Sequence, residues 1–196
     1  MSDTRPRSVS HHAADNLAFI RAAMERSSTF TAVAGAGGII VGGIGVGAAM
    51  VGAMQPTAER WLWTWLCAAT LAVPVELVAM ARKARRVGLT SSNATAQRFA
   101  LGIAAPLVAG AAITYALWTT RDFAVMAPTW LVSYGVAVIT GGMFSVPVVR
   151  ATGVGFILVG VAAVLTPVAW RDVWLGGRFG ELHLLCGFYI ARYHGG

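Results

Sequence analysis

The sequence predicts an all-α fold: a polytopic membrane helix bundle of about six transmembrane helices, preceded by a short amphipathic N-terminal helix. Three observations predict it. Hydrophobic residues make up 57% of the chain and charged residues only 12%, about half the charged share of an ordinary soluble domain. Mean hydropathy is +0.66. Six apolar stretches approach or exceed the roughly 17 to 25 residues that a helix needs to cross the hydrocarbon layer, and a basic run, Arg82-Lys83-Ala84-Arg85-Arg86, is pressed against the end of one of them.

Residues 1–30 read as a cytoplasmic tail and amphipathic helix. Asp15 can cap a helix in which Leu17, Ile20, Met24 and Ser27 share one face while Asn16, Arg21, Glu25 and Ser28 lie elsewhere. Such a helix lies at the interface or covers the bundle. Residues 31–196 form the membrane bundle, with spans predicted at 31–54, 61–81, 99–118, 123–145, 148–169 and 174–191. The first is longer than the apolar core of a signal peptide, and the region before it carries Asp3, Asp15 and Glu25, so it is retained as a span. The last contains Arg178, Glu181 and His183, which leaves a clean apolar part, 182–191, too short to cross unless those residues reach an interface or a protein partner. Thr119 to Asp122 and Val146-Pro147 are short connections, so spans three to five are expected to pack as consecutive antiparallel neighbours. The 82–98 loop has a polar turn core, Thr90-Ser91-Ser92-Asn93.

Charge sets the orientation. With both termini in the cytoplasm, the inside holds Arg5, Arg7, Arg21, Arg26, Arg82, Lys83, Arg85, Arg86, Arg98, Arg150 and Arg192, which is 11 of the 15 basic residues. The outside keeps Arg60, Arg121, Arg171 and Arg178, the first three beside Glu59, Asp122 and Asp172. Lys and Arg near span ends resist translocation, so this asymmetry favours an inner (cytoplasmic) bacterial membrane protein with both termini inside. Trp61, Trp118, Trp170 and Trp174 fall at the outer span ends, where indoles prefer the headgroup layer. A net charge of +7 placed at span ends points to anionic lipid headgroups as partners and not to nucleic acid. Cys67 and Cys186 lie inside apolar spans, where a small buried hydrophobe is the plain reading.

Glycine dominates the first span. Gly38 with Gly42 and Gly43 with Gly47 are both GxxxG pairs, which let two helix backbones approach closely where lipid gives no hydrophobic drive. They are expected to serve packing inside the bundle, with a homodimer contact as the alternative. A phosphate-loop reading fails, since no Lys-Ser/Thr follows and no strand precedes.

Glu76 is the sharpest single residue, six positions before Arg82 and so about 9 Å of helix rise inside the boundary. A carboxylate there must pair, take up a proton or face water. Arg98 or Arg150 from another helix is the expected partner, and Pro74 frees the Thr70 carbonyl nearby. A substrate or ion pathway through Glu76 is the alternative. Glu181 and His183 form a second polar cluster in the last span, but they point to nearly opposite sides of a helix. Only His183 and Cys186 share a face, so neither a metal site nor a haem is expected, and no cofactor.

The segments Asp15-Asn16-Leu17-Ala18-Phe19-Ile20-Arg21, Met24-Glu25-Arg26-Ser27 and Phe30-Thr31-Ala32-Val33 resemble the opening box of an uncharacterised family of small multi-pass bacterial membrane proteins. The basic run 81–86, Ala105-Pro106-Leu107, the segment 141–146, and the ending with Leu182-His183, Ile190-Ala191-Arg192 and Gly195-Gly196 are similar to it as well. Genes of that family sit beside winged-helix transcription regulators, so the resemblance implies a regulated accessory role. It brings no activity and no functional residue.

No nucleophile elbow, zinc-protease helix or paired-aspartate motif occurs in the sequence, so no catalytic residue is assigned. The expectation is a non-catalytic accessory or interaction protein, with a homodimer or a membrane-protein partner. A small transporter or channel using Glu76 is the first alternative, and an intramembrane enzyme or redox protein the second.

Overall fold

The computed structural model describes residues 15–17, 19, 20, 29–88 and 94–194. From residue 29 onward the described residues form six α-helices: α1 (Gly35–Ala53), α2 (Ala58–Arg86), α3 (Ala94–Thr119), α4 (Met126–Gly142), α5 (Pro147–Val164) and α6 (Gly180–Tyr193). A 3-10 turn at Val168–Trp170 and seven residues of π-helix, Val173–Phe179, lead into α6. Four helices, α1, α2, α3 and α5, are long and apolar enough to cross a membrane. α4 has 17 residues, and α6 has 14 continuous with the π-helical segment.

Local chemistry accounts for the ends. Thr57 caps α2 by accepting from the Arg60 amide at 3.2 Å. Glu59 stands in the first turn of α2 and Lys83, Arg85 and Arg86 in its last, each complementing the helix dipole. The basic run is thus the last turn of α2, which carries the helix past the predicted end at 81. Pro147 opens α5 at a position where no amide donor is needed. After α3 the chain reverses through Arg121, whose φ is 61°.

Asp15, Asn16, Leu17, Phe19 and Ile20 are helical, with Leu17 and Ile20 exposed, and Asp15 is itself in the helix. Arg21, Met24, Glu25, Ser27 and Ser28 lie outside the described residues, as does the 90–93 turn core.

α3, α4 and α5 pack as consecutive neighbours, as their short connections predict. α1 and α2 form a hairpin, and α6 with its π-helical lead inserts between α1 and α5. The spatial order is therefore α2, α1, α6, α5, α4, α3. Glycine makes the two tightest seams. A Cβ on Gly42 would stand 2.9 Å from the Gly180 carbonyl oxygen across the α1–α6 seam. On the α4–α5 seam, Gly135 and Gly153 each face the other's carbonyl oxygen, at 2.8 Å from such an added carbon. Any side chain at these positions forces the backbones apart.

At the end of the bundle where α1 begins and α2 ends, an extended segment, Thr29 to Ala34, threads in before α1. The Phe30 amide donates to the Phe144 carbonyl at 2.7 Å, and the Ser145 hydroxyl donates to the Phe30 carbonyl at 2.7 Å. Phe30 packs on Phe99 of α3, with Met80 and Ala84 of α2 alongside. Lys83 is buried there and donates to the Val33 carbonyl at 3.0 Å. One member of the basic run therefore serves the fold and does not face water.

Candidate functional site

The polar interior is built from α4, α6 and the π-helical segment. His183 is 8% exposed, and its Nδ1 lies 3.0 Å from the Phe179 carbonyl oxygen, which can only accept. Nδ1 therefore carries the proton. In the neutral ring Nε2 is then an acceptor, and the Tyr134 hydroxyl, 2.7 Å away, donates to it. Phe156, Phe179 and Tyr134 enclose the imidazole at ring-centroid separations of 4.2 to 5.3 Å. Tyr134 meets Phe156 edge-on at 88°. Both ring nitrogens are engaged, so a metal or haem would have to displace one of these two hydrogen bonds. No group of three metal-ligating side chains occurs among the described residues.

The structure separates the two members of the predicted cluster. Glu181, half a turn before His183, points outward and pairs with Arg178 at 2.7 Å, both side chains being at least half exposed. His183 points inward. The opposite-face argument from helix geometry holds, and it removes Glu181 from the interior site.

Glu76 lies on the inner side of α2 against α1. A Cβ on Gly37 would stand 2.5 Å from Glu76 Oε2 and 2.9 Å from Ala79, so the absent side chain at Gly37 is the space that the carboxylate fills. Among the described residues Glu76 takes part in no hydrogen bond or ion pair. The expected pairing with Arg98 or Arg150 does not form. The stem of Arg150 instead packs along Gly142 of α4.

Of the four GxxxG glycines, Gly38 and Gly42 face α6, at Gly187 and at Gly180 with His183. Gly43 and Gly47 have nothing within 4 Å of an added Cβ, so their stripe faces away from the other described helices.

A second constellation closes the opposite end of the bundle, where α2 begins, and was not singled out in the sequence. Asp172 Oδ1 accepts from the indoles of Trp61 at 2.7 Å and Trp65 at 3.1 Å. Arg171 reaches Asp172 Oδ2 at 3.7 Å and lays its guanidinium 4.2 Å over the Trp61 ring. Burial lowers the Arg171 pKa from its ordinary value, and the Asp172 carboxylate pulls the other way. Trp61 in turn stacks on Trp130 of α4, centroids 5.4 Å apart and planes within 2°. Trp61 is fully buried among other side chains and does not present its ring to the surroundings, whereas Trp118 and Trp170 are exposed at 42% and 55%. Cys67 is exposed on α2, not buried.

No family model, curated protein or solved structure matches the chain. What can be said of the site therefore comes from its geometry: a closed Tyr134–His183 pair, a carboxylate without a partner among the described residues, and a tryptophan clamp on Asp172.

Proposed function

We propose that this chain is a non-catalytic accessory or interaction protein of the bacterial inner membrane, akin to the uncharacterised family that its opening box and its ending resemble. In this reading α1 to α6 are six spans, the N-terminal helix lies at the cytoplasmic surface, and both termini are cytoplasmic. The seven π-helical residues and α6 together approach the ~30 Å hydrocarbon thickness, and α4 supplies about 25 Å. Orientation rests on the basic asymmetry. A single-cysteine Ser91→Cys variant, in a background without Cys67 and Cys186, should resist an impermeant thiol reagent added from outside. Labelling from outside would invert the topology.

The observation that carries the accessory reading is the state of His183. The interior ring best suited to ligate or to move a proton is held at both nitrogens by Tyr134 and Phe179. The polar interior then acts as a fastening between helices, and what the protein does passes to its outer surfaces. Purification in a mild detergent at native expression should return a stoichiometric membrane-protein companion, lost when the exposed face of α2 is changed by Leu77→Lys. Recovery of the chain alone, together with proton flux by the pure protein in liposomes, would overturn the reading.

That second outcome corresponds to a small transporter or channel, and one observation favours it: Glu76 has no hydrogen-bond or ion-pair partner among the described residues. An unpaired carboxyl at that depth is suited to take up and release a proton. Flux abolished by Glu76→Gln would identify it.

A further inference from the structure

Between the start of α5 and the length of α6 lies a groove of about 500 Å³. Its floor and walls are mainly apolar, from Val148, Leu182, Leu185 and Phe188, and its end is marked by Tyr189, Arg192 and Tyr193. Leu185 and Phe188 are 61% and 62% exposed, so no other part of the described chain covers it.

The polarity of this groove is graded along one direction. From Leu182 to Arg192 is ten residues, about 15 Å of helix rise, and before the last turn the lining is mostly apolar, with Cys186 and Thr152 the exceptions and the Thr152 hydroxyl turned back onto the Val148 carbonyl. There the Tyr189 and Tyr193 rings stand 4.8 Å apart and the Arg192 guanidinium lies 5.8 Å from the Tyr193 ring. Arg192 has no ion-pair partner among the described residues. An unpaired guanidinium flanked by two phenols at the helix end suits a phosphate diester, and the apolar channel above it suits a hydrocarbon chain.

We propose that the α5–α6 groove is a specific seat for one anionic phospholipid, its acyl chain along Leu182, Leu185 and Phe188 and its phosphate on Arg192. Charge complementarity selects this occupant: a second copy of the chain would bring its own Arg192 to the same place, and a zwitterionic lipid offers a balancing cation that Arg192 repels. A groove between α3 and α4, of about 640 Å³, also ends in an arginine, Arg98, but no aromatic hydroxyl flanks it. It serves as the internal control.

The proposal rests on the chain lying in a membrane, and that premise is tested first. After an alkaline wash the chain should stay with the membrane pellet; release into the supernatant would remove the premise and the seat together. Native mass spectrometry of the detergent-purified full chain, with phosphatidylglycerol or phosphatidylcholine of identical acyl chains added, then tests the seat. The wild type should retain phosphatidylglycerol at least fivefold over phosphatidylcholine. Arg192→Gln should bring the two level, Leu185→Trp should lower retention of both by filling the groove, and Arg98→Gln should leave the preference intact. Equal retention of both lipids by the wild type would overturn the seat, as would an unchanged preference in Arg192→Gln. An equal loss in Arg98→Gln would show that general surface charge, and not the groove, attracts the lipid.

Discussion

The Tyr134 hydroxyl donates to His183 Nε2 at 2.7 Å, joining α4 to α6 across the interior of the bundle. The two residues are 49 positions apart in the chain, and their bond fixes the tautomer of the histidine, because Nδ1 must donate to Phe179. Tyr134→Phe removes the donor and leaves Nε2 without a partner in an aromatic enclosure. We expect a loss of about 1 kcal/mol in detergent, within the range found for hydrogen bonds between membrane helices. Tyr134→Phe combined with His183→Phe should recover part of that loss, since both polar partners are then gone and an aromatic ring still fills the enclosure. Thermal unfolding of the two single variants and the double variant measures the coupling. Strictly additive losses would mean that the bond contributes nothing.

The Asp172 clamp answers to a different pair of substitutions. Asp172→Ala leaves two indole N–H groups without their acceptor and Arg171 without its carboxylate, and should cost about 1 to 3 kcal/mol. Asp172→Asn keeps an acceptor oxygen for the indoles and loses only the 3.7 Å ion pair, so the cost should be less than half as large. Tryptophan emission reports on the same event. Asp172→Ala should shift it, because Trp61 and its stacked neighbour Trp130 lose their anchor. Equal effects of the two substitutions would place the stability in the Arg171 charge pair instead.

The helical fold was readable from hydropathy alone because each apolar stretch is a local property of 17 or more consecutive residues. What hydropathy missed was set by distance in the chain. Trp61 and Asp172 are 111 residues apart, and a tryptophan at a span end has the same local signature whether it faces headgroups or folds inward onto a carboxylate. Lys83 carried the same ambiguity within the basic run, where one of four cations turns inward to a backbone carbonyl of the segment before α1. His183 was visible as a polar residue in an apolar span, but Tyr134 was not, since a tyrosine in a span is ordinary. The outward placement of Glu181 followed from helix geometry, which is local, and the missing partner of Glu76 did not, since that depends on which helices adjoin α2.

Glu76→Gln separates a structural carboxylate from one kept for another purpose. With no basic partner in its own described chain, Glu76 contributes no ion pair that the amide would break. Stability in detergent should therefore hold or rise, because the amide carries no charge to desolvate. A loss of 1 kcal/mol or more, measured by thermal unfolding, would show that the carboxylate has a partner in the folded protein.

Adjacent glycines in α1 give the sharpest contrast. Gly42 lies on the α6 side, where an added Cβ would meet the Gly180 carbonyl oxygen at 2.9 Å and the Leu184 and His183 side chains at 3.0 and 3.2 Å. Gly43, roughly 100° around the helix, meets nothing within 4 Å. The sequence assigned both to bundle packing, and the structure assigns that role to Gly38 and Gly42 only. Gly42→Leu should consequently prevent folding or lower the melting temperature steeply, since the backbone contacts on both sides cannot yield. Gly43→Leu should fold and melt like the wild type. Its effect, if any, falls on association: size-exclusion chromatography with light scattering would show a dimer becoming a monomer if the Gly43–Gly47 stripe meets a second copy, and no change if it faces lipid. A folding defect in Gly43→Leu as severe as that in Gly42→Leu would place another helix against this stripe, and the spatial order of α1 and α6 derived above would then be wrong.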